Sequence, residues 1–191
     1  MSSIQTTEQD AFRGIVAKEN TGPAETLPGE RKPFYLDKGH GKKHQLLSQL
    51  LTTMISHRET DGKFSVILLQ GPASPEPVPA HYHTREDEWT FILEGKVRWW
   101  VGDQHRLLFP GDSIYQPANV PHAFKFEGSY NKMLALNVAG GFEDFFDIVA
   151  TPSNDFVAPP VSDYQAPSRE QWEEAAGKFG WHPVPDYDFG I

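Results

Sequence analysis

From Phe34 onward the chain is a series of short apolar runs interrupted by turn formers. "FSVILLQG" (64–71) is a β-branched run of the buried-strand kind. "EWTFILEGKVRWWVGDQHRLLF" (88–109) reads as two hairpins in series, with turns at Glu94-Gly95 and Gly102-Asp103. "DSIYQP", "HAFKFEG" and "NKMLALNVAG" continue at the same spacing. The leucines of "HQLLSQLLTTMIS" (44–56) do not alternate cleanly, but its threonines and the "RETDGK" turn that follows favour a strand. Many short strands at regular spacing predict an all-β sandwich or barrel. No segment repeats, which predicts one barrel rather than two.

The helical pattern is confined to the two ends. Residues 7–19 predict a short helix, with Thr7 as its cap and Phe12, Ile15 and Val16 as its apolar stripe. "NTGPAETLPGERKP" is then a polar linker. After "GGFEDFFDI" the chain becomes Pro-rich, and a second helix is predicted at about 168–179. Ser168 and Gln171 make a capping box, Trp172, Ala175, Ala176 and Phe179 an apolar face, and Gly180 a stop. The expected organisation is an N-terminal arm and linker (1–32), a β-barrel (33–150) and a C-terminal extension (151–191).

Composition narrows the function classes. A 38% hydrophobic and 13% aromatic content in 191 residues supports one well-cored domain. A net charge of −9 without a dense basic cluster argues against nucleic acid as a partner. The absence of cysteine excludes disulfides, thiolate metal sites and a cysteine nucleophile. No run approaches the roughly 20 apolar residues of a membrane span. The start, "MSSIQTTEQDAFRG", lacks the apolar core of a signal peptide, so a cytoplasmic protein is expected.

The chemistry concentrates in "PAHYHTREDEWTFILEG" and "PGDSIYQPANVPHAF". His81 and His83 alternate on a strand, so their imidazoles share a face. Glu88 opens the next apolar strand and supplies a hard ligand, with Glu86 and Asp87 expected one step out towards the loop. His122 opens a later strand that a closed barrel can return beside the first pair. Three imidazoles and a carboxylate suit one divalent transition metal (Cu, Fe, Mn, Ni or Zn) and leave room for water, substrate or O2. An isolated H-x-H pair is weak; the combination of motifs carries the reading. Phe124 and Phe126 alternate with His122, and Thr90 and Ile92 with Glu88, which makes these four the candidate pocket residues.

The two motifs resemble the signature motifs of the cupin superfamily: H-x-H, a four-residue gap, Glu88, six residues, Gly95, then Gly111, five residues, Pro117 and later His122. Gly71 lies farther from His81 than the family pattern places its leading glycine. Asn119 stands where glycine is usual and Phe126 where asparagine is usual. The resemblance implies a double-stranded β-helix (jelly-roll) barrel with short flanking helices. Within the cupins, the four-residue gap to Glu88 and "GGFEDFFDIVAT" after the last strand resemble the N-terminal cupin domain of fungal quercetin 2,3-dioxygenases, over roughly residues 33–155. That likeness implies a mononuclear metal, often copper, on His81, His83, His122 and Glu88, with Glu88 also accepting a proton from a flavonol hydroxyl. It implies a dioxygenase acting on a flavonol or polyketide-like aromatic enol and O2. Single cupins also resemble proteins of secondary metabolism, for which a non-oxidative isomerase, cyclase or lyase, or a small-molecule binder without turnover, are the alternatives. Cupins often dimerise, and the N-terminal arm suits exchange in a homodimer.

Overall fold

The structure, a computed structural model, describes residues 27–190; the helix expected over 7–19 lies outside them. Among the described residues, twelve strands form two antiparallel sheets. They are β1 (Lys42–Leu46), β2 (Gln49–Ile55), β3 (Ser65–Gly71), β4 (His81–His83), β5 (Asp87–Glu94), β6 (Val97–Val101), β7 (Gln104–Leu108), β8 (Ser113–Gln116), β9 (His122–Phe126), β10 (Asn131–Val138), β11 (Thr151–Pro152) and β12 (Trp181–Pro183). One sheet runs β11-β1-β2-β3-β10-β5-β8, the other β12-β4-β9-β6-β7. This is an all-β, jelly-roll arrangement with few, short helices.

The core is the space between the sheets. Ile92 and Met133 enter it from the larger sheet, Val97 and Phe126 from the smaller, and each is at most 1% exposed. Strand alternation accounts for this: on β10, Asn131, Met133, Ala135 and Asn137 are buried while the residues between them are half-buried.

Two expectations are corrected. The stretch 44–56 is a hairpin of two strands, β1 and β2, rather than one strand, and it turns where Leu47 adopts φ 55°. Residues 88–101 are not a hairpin: β5 pairs with β10 and β8, whereas β6 pairs with β7 and β9. Glu94-Gly95-Lys96 therefore carries the chain from one sheet to the other. Gly95 takes φ +87° there, packed onto the backbone of Tyr130 and Asn131. Asn131 is fully buried and secures the crossing: its Oδ1 accepts from the backbone N–H of Lys96 (3.0 Å) and Gly128 (2.9 Å). The β6–β7 hairpin does turn at Gly102-Asp103. Asn119, standing where cupins usually have glycine, adopts φ 65°, a conformation asparagine tolerates better than most residues.

The C-terminal segment joins both sheets. β11 pairs with β1, and β12 pairs with β4. Between them, helix α2 (Arg169–Phe179, after the single-turn α1 at Phe146–Val149) starts with the Ser168/Gln171 capping box and ends at left-handed Gly180. It contributes Ala175 and Phe179 to the core. Among the described residues, no helix is long and apolar enough to cross a membrane.

Candidate metal centre

His81 and His83 lie on β4, and β4 pairs with β9 so that His122 stands directly opposite His81. Glu88 arrives from β5, in the facing sheet. One nitrogen from each of the three imidazoles lies within 4.8 Å of the others. Glu88 Oε2 is 3.2 Å from His122 Nε2, and its Oε1 is 3.7 Å from His83 Nε2. Three of the four residues nominated from the sequence thus cluster between the sheets, and the fourth, Glu88, lies against two of them.

The imidazoles are oriented by their own backbone. His81 Nδ1 lies 2.7 Å from Pro79 O, and His122 Nδ1 lies 3.0 Å from Val120 O. A carbonyl only accepts, so both Nδ1 atoms carry a proton, which leaves each Nε2 as the atom turned towards the cluster. His83 and His122 are each 2% exposed. Burial depresses the His81 pKa well below its ordinary value, and the neighbouring His122 and His83 lower it further. Burial likewise lowers that of His83. For Glu88, burial opposes ionisation, but His83 and His122 outweigh it and hold the carboxyl at about 2.

A Glu88 carboxylate oxygen thus faces His122 Nε2 at 3.2 Å, and that nitrogen makes no hydrogen bond. A carboxylate oxygen and a ring nitrogen at that separation need a proton or a metal cation between them. The donor set, three imidazoles and one carboxylate, fits a divalent transition metal.

Glu86 departs from expectation. It was expected out towards the loop, yet it is 4% exposed, with Oε2 3.9 Å from His83 Nδ1 and no hydrogen-bond partner on either atom. Burial raises its pKa to about 7. Asp87 does face outward, accepting from Tyr115 Oη (2.9 Å) and the Ala118 N–H (2.8 Å).

In front of the four residues lies a cavity of about 330 Å³, large enough for a small aromatic molecule. Thr90 and Phe124 line it as expected from alternation; Ile92 and Phe126 are fully buried in the core and do not. Sequence reasoning did not foresee Trp172 and Trp181 in its wall. Trp181 stacks on His81 with ring centroids 5.3 Å apart, because β12 adds to the sheet edge beside β4. Phe142, Phe145 and Phe146, from the "GGFEDFF" segment, close another side.

A second group, His57, Glu143 and Asp144, is already satisfied. Glu143 accepts from the His57 ring (2.8 Å) and from the backbone N–H of His57 (2.6 Å) and Gly141 (2.9 Å). Asp144 accepts both ends of the Arg58 guanidinium (3.0 and 2.8 Å). This group ties the loop after β2 to the segment after β10.

A family model described as "Cupin domain" matches residues 69–138, which hold all four converging residues. Residues 69–138 are a cupin domain, and the chain resembles quercetin 2,3-dioxygenases. It is 34% identical over 126 residues to quercetin 2,3-dioxygenase of Bacillus subtilis (strain 168), covering 66% of this chain and 37% of the relative. It is 25% identical over 138 residues to quercetin 2,3-dioxygenase of Aspergillus japonicus, covering 69% of this chain and 39% of the relative. The chain therefore spans less than two-fifths of the length of these curated relatives. In fold it is similar to KdgF from Halomonas sp., with a TM-score of 0.51 at 14% identity, covering 58% of this chain and 96% of that one.

Proposed function

We propose that this protein is a mononuclear-metal dioxygenase of the quercetin 2,3-dioxygenase kind, acting on a flavonol or polyketide-like aromatic enol. The observation that carries the reading is the cluster of three imidazoles, with the carboxylate of Glu88 against two of them, at the head of an apolar cavity. His81, His83, His122 and Glu88 would hold one divalent transition metal. Bound there, it would supply Lewis acidity at the substrate's enol oxygen and a site for O2.

The chain's own residues do the rest. Glu88, ionised and shielded from solvent, accepts the substrate's hydroxyl proton at a carboxylate oxygen. Such a positioned base contributes about 10²–10⁴-fold. Thr90, Phe124 and the stacked Trp181 wall the cavity against water and favour a flat ring. The fixed Nδ1 bonds to Pro79 and Val120 keep His81 and His122 from turning.

The test is turnover of a flavonol by metal-loaded protein in air and under strict anaerobiosis, followed by the loss of flavonol absorbance and by product mass. Turnover that requires O2 supports the dioxygenase. Turnover that persists without it assigns the site to the non-oxidative isomerase or lyase class, and saturable binding without turnover to the binding class.

A further inference from the structure

A polar row crosses the inner face of the larger sheet at the level of Glu88. The registers pair Ser65 with Asn137, Asn137 with Glu88, and Glu88 with Gln116, across β3, β10, β5 and β8. Residues directly opposite in an antiparallel pair share a face, with Cβ atoms about 4.5–5.5 Å apart. The next row, Ile67, Ala135, Thr90 and Ile114, is apolar apart from Thr90. Hydrogen-bonding capacity on this face is therefore gathered beside Glu88.

Within that row, Asn137 is 1% exposed and lines the cavity. Its Nδ2 donates to Ser65 Oγ at 3.3 Å, while its Oδ1 has no hydrogen-bond partner. A buried amide oxygen without a donor is destabilising unless something entering the cavity supplies one. Gln116 also has an unpartnered amide, but it does not line the cavity and so faces no ligand.

Resting on the reading of this cavity as a flavonol-type site, we propose that Asn137 is a substrate-contacting specificity residue that accepts a hydrogen bond from a second hydroxyl of the substrate. Glu88 takes the first hydroxyl. The side-by-side placement of the two residues sets the spacing of the groups they meet. The substrate class is thereby narrowed to a planar aromatic enol carrying a further hydroxyl a few ångströms from the reacting one. A flavonol hydroxylated at both C3 and C5 fits that requirement, whereas a flavonol bearing only the C3 hydroxyl leaves Asn137 Oδ1 unpaired.

The experiment compares the dissociation constants of 3,5-dihydroxyflavone and 3-hydroxyflavone by anaerobic fluorescence titration of metal-loaded protein. Wild type, Asn137→Leu and Asn137→Ala are measured, each first checked for metal content and unfolding midpoint. Wild type should prefer the dihydroxy ligand about 3- to 10-fold, the worth of one net hydrogen bond. Both variants should lower that ratio to one within twofold while binding 3-hydroxyflavone about as wild type does. A merely structural role for Asn137 would weaken both ligands together and leave the ratio unchanged, which overturns the proposal. So does a wild-type ratio of one, which would mean that water satisfies Oδ1. If neither flavonol binds wild type, the flavonol reading falls and the Asn137 assignment with it; if both bind without Asn137 dependence, only the assignment falls.

Discussion

The crossing at Gly95 places Glu88 and Trp99 in opposite sheets, and its energetics can be worked from the structure. A Cβ added at Gly95 would sit 2.5 Å from Asn131 Oδ1 and 2.9 Å from Asn131 Cα, and closer still to Tyr130 O. Most of these atoms are backbone, which no rotamer change can move. Gly111 is the control: it also has positive φ, +97°, but a Cβ there would meet nothing within 4 Å. The conformational cost of alanine at positive φ is about 1–2 kcal/mol. Alanine's stiffer unfolded chain offsets about 0.4–1 kcal/mol of it at either site. Overpacking adds about 1–3 kcal/mol at Gly95 alone. Gly95→Ala should therefore cost about 1–3 kcal/mol more than Gly111→Ala in urea unfolding, with unchanged m-values. In a chain of this size that is about 2–4 °C of melting temperature per kcal/mol. Equal losses within about 0.5 kcal/mol would refute the close approach as the reason for glycine at this position.

The two phenylalanines on β9 should separate stability from binding. Phe126→Ala, at a fully buried core position, should lower unfolding free energy by about 3–5 kcal/mol and leave flavonol affinity of the folded protein intact. Phe124→Ala, in the cavity wall, should weaken flavonol binding instead; the reverse pattern would contradict the placement of the cavity. Asp147 tests the electrostatics at the edge of the core. Burial opposes its ionisation, but the hydrogen bonds from His44 and Lys42 outweigh that and hold it at about 2, below its ordinary 3.8. Because the folded-state value is depressed, its contribution is present above 3.8 and lost as pH falls through about 2. Asp147→Asn should flatten the pH dependence of stability across that window. At pH 7 it should cost only about 0.5 kcal/mol, since the side chain is 38% exposed and screened. An unchanged slope in urea unfolding at stepped pH would refute the pairing.

How much of this was legible in the sequence depends on how local each feature is. Spacing alone put His81 and His83 on one face, and alternation on β10 and β9 follows the pleat. The Ser168 capping box needs only four residues, and it is present. Sheet membership is not local. Glu94-Gly95 has the composition of a hairpin turn, but it is a sheet crossing because β5 finds non-sequential partners in β10 and β8. For the same reason Asn137 and Gln116 could not be assigned to the neighbourhood of Glu88 without the strand order. Glu86 looked like a solvated loop acid, yet the chain turns it inward beside His83. Trp181 follows a helix far along the chain, and only its pairing with β4 reveals it as a wall of the cavity.

The central claim is that His81, His83, His122 and Glu88 hold a metal. Elemental analysis of protein purified without chelator, then stripped and reloaded with first-row divalent ions, tests it most directly. The expected result is about one equivalent per chain in wild type and near-complete loss in His83→Ala and His122→Ala, with the stripped variants still unfolding cooperatively. Wild-type protein that acquires no metal on loading, or variants that retain a full equivalent, would contradict the account.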